Sequence, residues 1–336
     1  MKKYNIAIAG ATGNVGRELV KLLAEEKLPI ERLYLLASNR SAGKTINFAN
    51  QDIKVEDLED FNFSKVDVAC FTVSKELSKK FVPLATKQGA IVIDKSEAFR
   101  LNDDVPLIMP GVNNKEIKNY KKTNIIATPN CCVAPLSIVL NAVYKLSPVK
   151  RVIVSTYQST SGAGKEAMEE LYNQTKAKLS FQEIKTKIFS KQISFNIIPQ
   201  IGEFKESKFT DEEEKIFLET AKILNDKKIQ ISATSVRVPT FIGHCLSVNI
   251  EMMNSFGSIS KIIDSIKKSD KTEVLESNDY HTPIDTVSNN KVYISRIRDD
   301  YTRKNSFNCW VVSDNLYVGA VSNTVDIIKD LIKSYI

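Results

Sequence analysis

Histidine is nearly absent: the 336 residues contain two, His244 and His281. Acid–base chemistry that needs an imidazole near neutral pH is therefore confined to two positions. His281 sits in the polar stretch "NDYHTP", whereas His244 follows a glycine at a strand turn in "RVPTFIGHCLSV" and is the acid/base candidate, with a histidine merely satisfied inside a sheet as the alternative. Cysteine is also sparse and odd in number: Cys70, Cys131, Cys132, Cys245 and Cys309 form no C-x-x-C pair and have no histidine at ligand spacing. A structural zinc site is not indicated and no metal is expected. A bridge between the adjacent Cys131 and Cys132 would be strained, so thiols are expected.

No stretch approaches the roughly 18 apolar residues of a membrane span, and "MKKYNIAIAG" enters a strand and glycine turn without a signal-peptide pattern. A cytoplasmic protein without membrane contact is expected. The net charge of +7 comes from scattered lysines such as Lys121, Lys122, Lys227 and Lys228, with no basic tract interleaved with aromatics. Nucleic-acid binding is disfavoured, while a basic cleft would suit anionic substrates. Glycine and proline are few, at 12 and 10, and repeats and low-complexity segments are lacking. The composition is that of an ordinary globular protein, long enough for two domains with a cleft between them.

Through the first third, apolar runs ("YNIAIAG", "RLYLLAS", "VDVACFTV", "AIVID", "TNIIATPN") alternate with helix-period segments ("GRELVKLLAEEK", "SKKFVPLATKQG"). That rhythm predicts a doubly wound α/β domain around a parallel sheet. Past residue 150 longer alternating strands are grouped with separate helices, which reads as an α+β domain on a mostly antiparallel sheet. The closing "TVDIIKDLIKSYI" reads as an amphipathic helix able to dock on either domain.

"GATGNVG" places Gly10, Gly13 and Gly16 between a strand and a helix, where backbone N–H groups can hold a pyrophosphate; a tight turn that binds nothing is the alternative. The second strand ends in Ser38, Asn39, Arg40 and Ser41 rather than in an acid. Arginine with hydroxyls suits a 2′-phosphate, so NADP is preferred over NAD, against a plain basic loop.

In "ATPNCCVAPL" adjacent side chains on a helix point about 100° apart, so one thiol faces a pocket and the other the interior. Cys132 aligns with Leu136, Val139, Val143 and Leu146 and reads as core; Cys131 lies off that stripe, at a helix N-terminus that favours a thiolate. "VSTYQSTSGAGKEAMEEL" ends a strand at Gln158 and turns through Ser161 and Gly162, giving backbone that can approach a cofactor or a plain loop. In "FTDEEEKIF" Thr210 and Glu213 form a capping box, leaving Glu212 and Lys215 on one helix face, for which solvated charge is the simpler reading.

Taken in order, "GATGNVGRELV", "LASNRSAGK", "VIDKSEAFR", "TPNCC", "STYQSTSGAG", "NIIPQIGEF", "SATSVRVPTFIGH", "YHTPID", "RIRDD" and "DNLYVGAVSNTV" resemble the aspartate-semialdehyde dehydrogenase family over essentially the whole chain. The resemblance implies a Rossmann-type NADP-binding domain, residues 1–130 with 317–336, and an α+β catalytic and dimerisation domain, residues 131–316. It makes Cys131 the acyl-thioester nucleophile deprotonated by the acid/base His244, with Gln158 beside it. Arg237 and Glu212 take the substrate carboxylate and amine, and Arg100 and Lys215 the phosphate. Thr12, Gly13, Asn14, Val15, Arg40, Ser41, Ser161, Gly162 and Asn323 become cofactor contacts, joining Gly10, Gly16 and Ser38. It further implies a homodimer or dimer of dimers. The reaction interconverts aspartate 4-semialdehyde and aspartyl 4-phosphate, in lysine or diaminopimelate, threonine and methionine biosynthesis. The chain departs from the family pattern at Lys95, Ser96 and Glu97, at Gly111, at Tyr317 and Val318, and at Cys132, which stands where serine or threonine is usual. Other phosphorylating dehydrogenases, such as N-acetyl-glutamyl-phosphate reductase or glyceraldehyde-3-phosphate dehydrogenase, and a non-catalytic relative are the competing expectations.

Overall fold

The chain forms two compact units in a computed structural model that describes residues 2–276 and 278–336. They are Met1–Pro129 with Ala320–Ile336, and Asn130–Gly319.

The first unit contains β1 (Tyr4–Ala9), α1 (Asn14–Glu25), β2 (Ile30–Ala37), β3 (Thr45–Phe48), β4 (Gln51–Asp57), β5 (Val68–Phe71), α2 (Lys75–Lys87), β6 (Ile91–Asp94) and β7 (Ile125–Ala127). The sheet order is β3-β4-β2-β1-β5-β6-β7, parallel from β4 to β7, with β3 antiparallel at the edge. The order reverses between β1 and β5, where the chain leaves β1 for α1, the place at which open α/β sheets bind ligands. The central strands β1, β5 and β6 are mostly apolar and buried, as in a sheet covered on both faces, whereas β4 towards the edge is polar and largely exposed.

The second unit contains α3 (Val133–Tyr144), β8 (Val149–Gln158), α4 (Lys165–Leu179), α5 (Asp211–Ile223), β9 (Gln230–Arg237), β10 (His244–Met252), α6 (Ile259–Lys267), β11 (Thr272–Val274), β12 (Val292–Asp299) and β13 (Ser306–Ser313). Its sheet runs β11-β12-β13-β10-β8-β9. The two outermost pairs, β11–β12 and β8–β9, are parallel and the rest antiparallel, so the sheet is mixed. β9 and β10 are consecutive in sequence but not neighbours, because β8 lies between them.

α7 (Ser322–Ser334) belongs to the first unit, where Val325, Ile327, Ile328 and Leu331 join the core of Ile6, Ile8, Leu19 and Leu35. A π-helical turn, Tyr317–Val321, precedes it.

Candidate active site

Four strand ends of the second unit meet in one row. Gln158, the last residue of β8, pairs with Arg237, the last of β9, and with His244, the first of β10; His244 also pairs with Ser313, the last of β13. Alternation then fixes where side chains go: Val152, Val154, Thr156 and Gln158 are buried on one face while Ile153 and Tyr157 point to the other. Polar side chains thereby converge at one end of an otherwise apolar sheet.

Ser159, just past β8, holds two of them by its backbone. Its N–H donates to His244 Nδ1 at 3.1 Å, and its carbonyl accepts from Arg237 Nη1 at 2.6 Å. His244 is 1% exposed, and its Nε2 is buried without a hydrogen-bond partner. Asn315 Oδ1 accepts from Gly243 N–H and from the hydroxyls of Ser159 and Ser161, which ties the β10 turn to the Ser159 loop. Gly162 lies so close that a Cβ there would meet Arg237 Nη1 at 3.0 Å and His244 Nε2 at 3.1 Å. An alanine there would require one of these side chains to give by a few tenths of an ångström.

The cysteine turn is fastened from below. Asn130 N–H donates to Glu219 at 2.7 Å, and Asn130 Oδ1 accepts from Cys132 N–H at 2.8 Å. Cys132 caps α3 and is fully buried, whereas Cys131 precedes the cap and is half-buried. The stripe expected to separate the thiols is not what separates them. α3 is buried nearly all round, Ala134, Pro135 and Ile138 included, while Leu146 lies beyond its end and is 38% exposed. Cys131 is half-buried because it precedes the first helical turn. Burial and its hydrogen bond with Cys131 push the Cys132 thiol well above its ordinary pKa. The two sulfurs and a ring nitrogen of His244 lie within 4.8 Å of one another, a set that the sequence spacing gave no sign of.

Glu212 corrects another expectation. The acidic start of α5 reads as solvated charge, and the Thr210–Glu213 capping box is present, yet Glu212 is buried. Its Oε1 accepts from Asn130 Nδ2 at 2.9 Å and Gln158 Nε2 at 3.1 Å, and Lys215 Nζ stands 3.6 Å from Oε2. Gln158 is oriented by Thr156, whose hydroxyl donates to Oε1 at 2.9 Å. Burial pulls the Arg237 guanidinium below its ordinary pKa, and the charges of Glu212, Cys131 and Cys132 oppose that shift. A hydrogen-bonded guanidinium and a hydrogen-bonded carboxylate thus belong to the same unit as the cluster of two thiols and an imidazole.

The remaining expected residues belong to the first unit. Gly10 has φ +86°, and a Cβ at Gly16 would come within 2.2 Å of Gly10 O, so this turn admits only glycine at both positions. α1 has no side-chain cap and no acid in its first turn, so the positive end of its dipole suits an anion. A cavity of about 430 Å³ opens there, lined by Gly10, Thr12, Ser38, Asn39, Asp57 and Glu59 among others. Arg40 and Ser41 form the 3₁₀ turn after β2. Asn323, in the first turn of α7, has a buried Nδ2 without a partner. These residues fit a dinucleotide.

Arg100 donates to Lys95 O at 2.7 Å and faces buried Asp94, while Glu97 is paired with Lys75 at 2.6 Å, so the unusual Lys95 and Glu97 leave the guanidinium in place. Gly111 occupies φ +87°. Asn130, Ser159, Glu219, Asn315 and Gly319 were not singled out from sequence; all but Glu219 stand within or beside the quoted motifs, but their part is structural support that spacing does not reveal.

Two family models match: the semialdehyde dehydrogenase NAD binding domain over residues 5–120 and the semialdehyde dehydrogenase dimerisation domain over residues 140–318. A relative from Rickettsia bellii named aspartate-semialdehyde dehydrogenase is 46% identical over 100% of this chain and 99% of its own length. The chain belongs to the aspartate-semialdehyde dehydrogenase family. The crystal structure of aspartate semialdehyde dehydrogenase II from Vibrio cholerae has a TM-score of 0.98 at 39% identity, with both chains fully covered, and the same protein is known complexed with ASA. Like other aspartate-semialdehyde dehydrogenases, the chain is an oxidoreductase with a Rossmann-type domain for a nicotinamide cofactor. Among the described residues no helix is long and apolar enough to cross a membrane.

Proposed function

We propose that the chain converts L-aspartate 4-semialdehyde, phosphate and NADP into L-4-aspartyl phosphate and NADPH through a thioester on Cys131, and that biosynthesis of lysine or diaminopimelate, threonine and methionine uses the reverse direction. The observation that carries this reading is the half-buried Cys131 thiol within 4.8 Å of Cys132 sulfur and a His244 ring nitrogen, on a unit that also buries Arg237 and Glu212. His244 takes the proton of the Cys131 thiol, whose sulfur attacks the aldehyde carbon to give a thiohemiacetal. Arg237 binds the α-carboxylate and Glu212 the α-ammonium, which favours a free amino acid over an N-acylated one. The cofactor supplies the hydride acceptor. Arg100 and Lys215 serve the phosphate, whose oxygen attacks the thioester and frees Cys131.

Arg40 beside Ser38 and Ser41 supports NADP. A homodimer or dimer of dimers is supported by the outward face of β8, where Ile153 is exposed and Tyr157 packs on Trp310 at 5.5 Å between ring centres. The absence of a membrane-spanning helix among the described residues agrees with a cytoplasmic enzyme.

The decisive assay is phosphate-dependent NADPH formation from aspartate semialdehyde. Activity that requires phosphate, vanishes in Cys131→Ser and persists in Cys132→Ser upholds the reading. Loss confined to Cys132→Ser reverses the choice of thiol, and greater activity on N-acetyl-glutamate semialdehyde reassigns the substrate.

A further inference from the structure

We propose that Cys131 and Cys132 form a dithiol site that captures a trivalent, thiophilic metalloid such as arsenous acid in one chelate ring. The second sulfur is a departure of this chain: Cys132 stands where the family resemblance leads one to expect serine or threonine, and the proposed thioester chemistry gives it no task. Neither thiol is in a disulfide, and the two are hydrogen-bonded to each other. Both sulfurs and a ring nitrogen of His244 lie within 4.8 Å of one another. Cys131 is half-buried and offers the first contact, while Cys132 is fully buried beside it.

The peptide that joins the two residues is anchored, since its N–H donates to Asn130 Oδ1 at 2.8 Å. A direct S–S bond of about 2 Å would have to close across this one peptide and would be strained. A single larger atom between the sulfurs bridges them at a wider separation, and soft sulfur donors select a soft centre. Two adjacent sulfurs fill two of the three positions of a pyramidal trivalent centre, but only two of the four that zinc prefers. The remaining position also has a neighbour on the protein. His244 is 1% exposed and its Nε2 has no hydrogen-bond partner. The hydroxyl left on the metalloid donates or accepts, so it suits that nitrogen in either tautomer.

Capture needs no oxidant or reductant. Cys131 sulfur bonds to arsenic as one hydroxyl departs with the thiol proton as water. Cys132 sulfur then displaces a second hydroxyl, a second water leaves and the ring closes, with arsenic still trivalent and carrying its third hydroxyl. Each thiol proton leaves with a departing hydroxyl, so the reluctance of Cys132 to ionise is no bar. The second bond forms within one molecule, which strengthens binding about 10²-fold or more over a single thiol. Because the ring holds the proposed nucleophile, capture stops turnover. That consequence rests on the proposed thioester reaction; the binding itself does not.

Arsenous acid added to the reduced full chain is the test. Native mass spectrometry should show one arsenic per chain, and arsenic X-ray absorption should show two sulfur neighbours and one oxygen. A dithiol such as dimercaptopropanol should remove the arsenic and restore activity, whereas a monothiol at equal concentration should not. Cys132→Ser should keep its activity, bind arsenous acid at least about 10²-fold more weakly and resist inhibition by the same factor. Equal affinity in Cys132→Ser overturns the pairing, as does a wild-type spectrum with one or three sulfur neighbours, which decides the matter even where the variant folds poorly. Arsenic found on Cys70, Cys245 or Cys309 overturns the site, and stoichiometric Zn²⁺ binding that blocks arsenous acid overturns the choice of a metalloid. An enzyme inactive on aspartate semialdehyde that still binds one arsenic through two sulfurs would refute the proposed function and leave the dithiol site standing.

Discussion

Gly319 lies against Cys131 so closely that a Cβ at position 319 would stand 2.8 Å from the Cys131 Cβ and 2.9 Å from its Cα. The π-helical turn Tyr317–Val321 thus backs the proposed nucleophile with bare backbone. Gly319→Ala should push Cys131 aside: kcat falls about 10²-fold, the scale of a misplacement near 1 Å. The fold survives, because overpacking of this kind costs about 1–3 kcal/mol. Steady-state kinetics beside a melting curve check this, and wild-type kcat in Gly319→Ala would show that the contact does not position the thiol.

Arg237 has two attachments, its hydrogen bond to Ser159 O and its Coulombic pairing with Glu212 and the two thiols. Arg237→Ala should raise KM for aspartate semialdehyde steeply, with about 2–5 kcal/mol lost in kcat/KM for an unpaired buried carboxylate. Arg237→Lys should rescue little, since an ammonium lacks the planar fork. An unchanged KM in Arg237→Ala removes this residue from the substrate site.

The fold class was legible because period-two and helix-period segments alternate in the first unit and are grouped in the second. The order of strands was not: nothing in "QISATSVRVPTFIGHCLSVNIEM" says that β8 intervenes between β9 and β10, yet that insertion is what puts Arg237, Gln158 and His244 in one row. Glu212 was misjudged on local grounds because "DEEEK" looks solvated, and its burial depends on Asn130 and Gln158, distant in sequence. Gly319 carries no functional group, so its pressure on Cys131 exists only in three dimensions. The preference between the thiols rested on a helical stripe, whereas the actual difference is one residue of position relative to the α3 cap.

In the proposed reading, the preference for NADP rests on Arg40. Asp57 and Glu59 line the cavity beside Ser38 and Asn39, the residues just before Arg40, and would repel a 2′-phosphate there, although Glu59 shares its charge with Lys80 at 2.6 Å. Arg40→Ala should lower kcat/KM for NADP by about tenfold or more, the value of a charged hydrogen bond, and leave NAD nearly untouched. Equal losses for both cofactors would place Arg40 outside the phosphate site.

Burial pushes the thiols of Cys70, Cys245 and Cys309 from an ordinary 9.0 up to about 12 and holds Cys132 well above its usual range, while Cys131 alone of the five is half-buried. A disulfide reagent at about pH 8 should therefore titrate one thiol in the native enzyme and five after denaturation. The same displacement sets the alkaline limit of stability. A folded-state pKa above the unfolded value means the native form keeps protons that the unfolded chain sheds. These thiols thus leave stability flat below the ordinary value of 9.0 and lower it as pH rises from there toward about 12. Cys70→Ala removes one such group, so its alkaline decline, followed by denaturant titration at increasing pH, should be shallower than that of the wild type even though the cavity lowers its stability at neutral pH. Parallel declines would mean that Cys70 does not contribute to the alkaline transition.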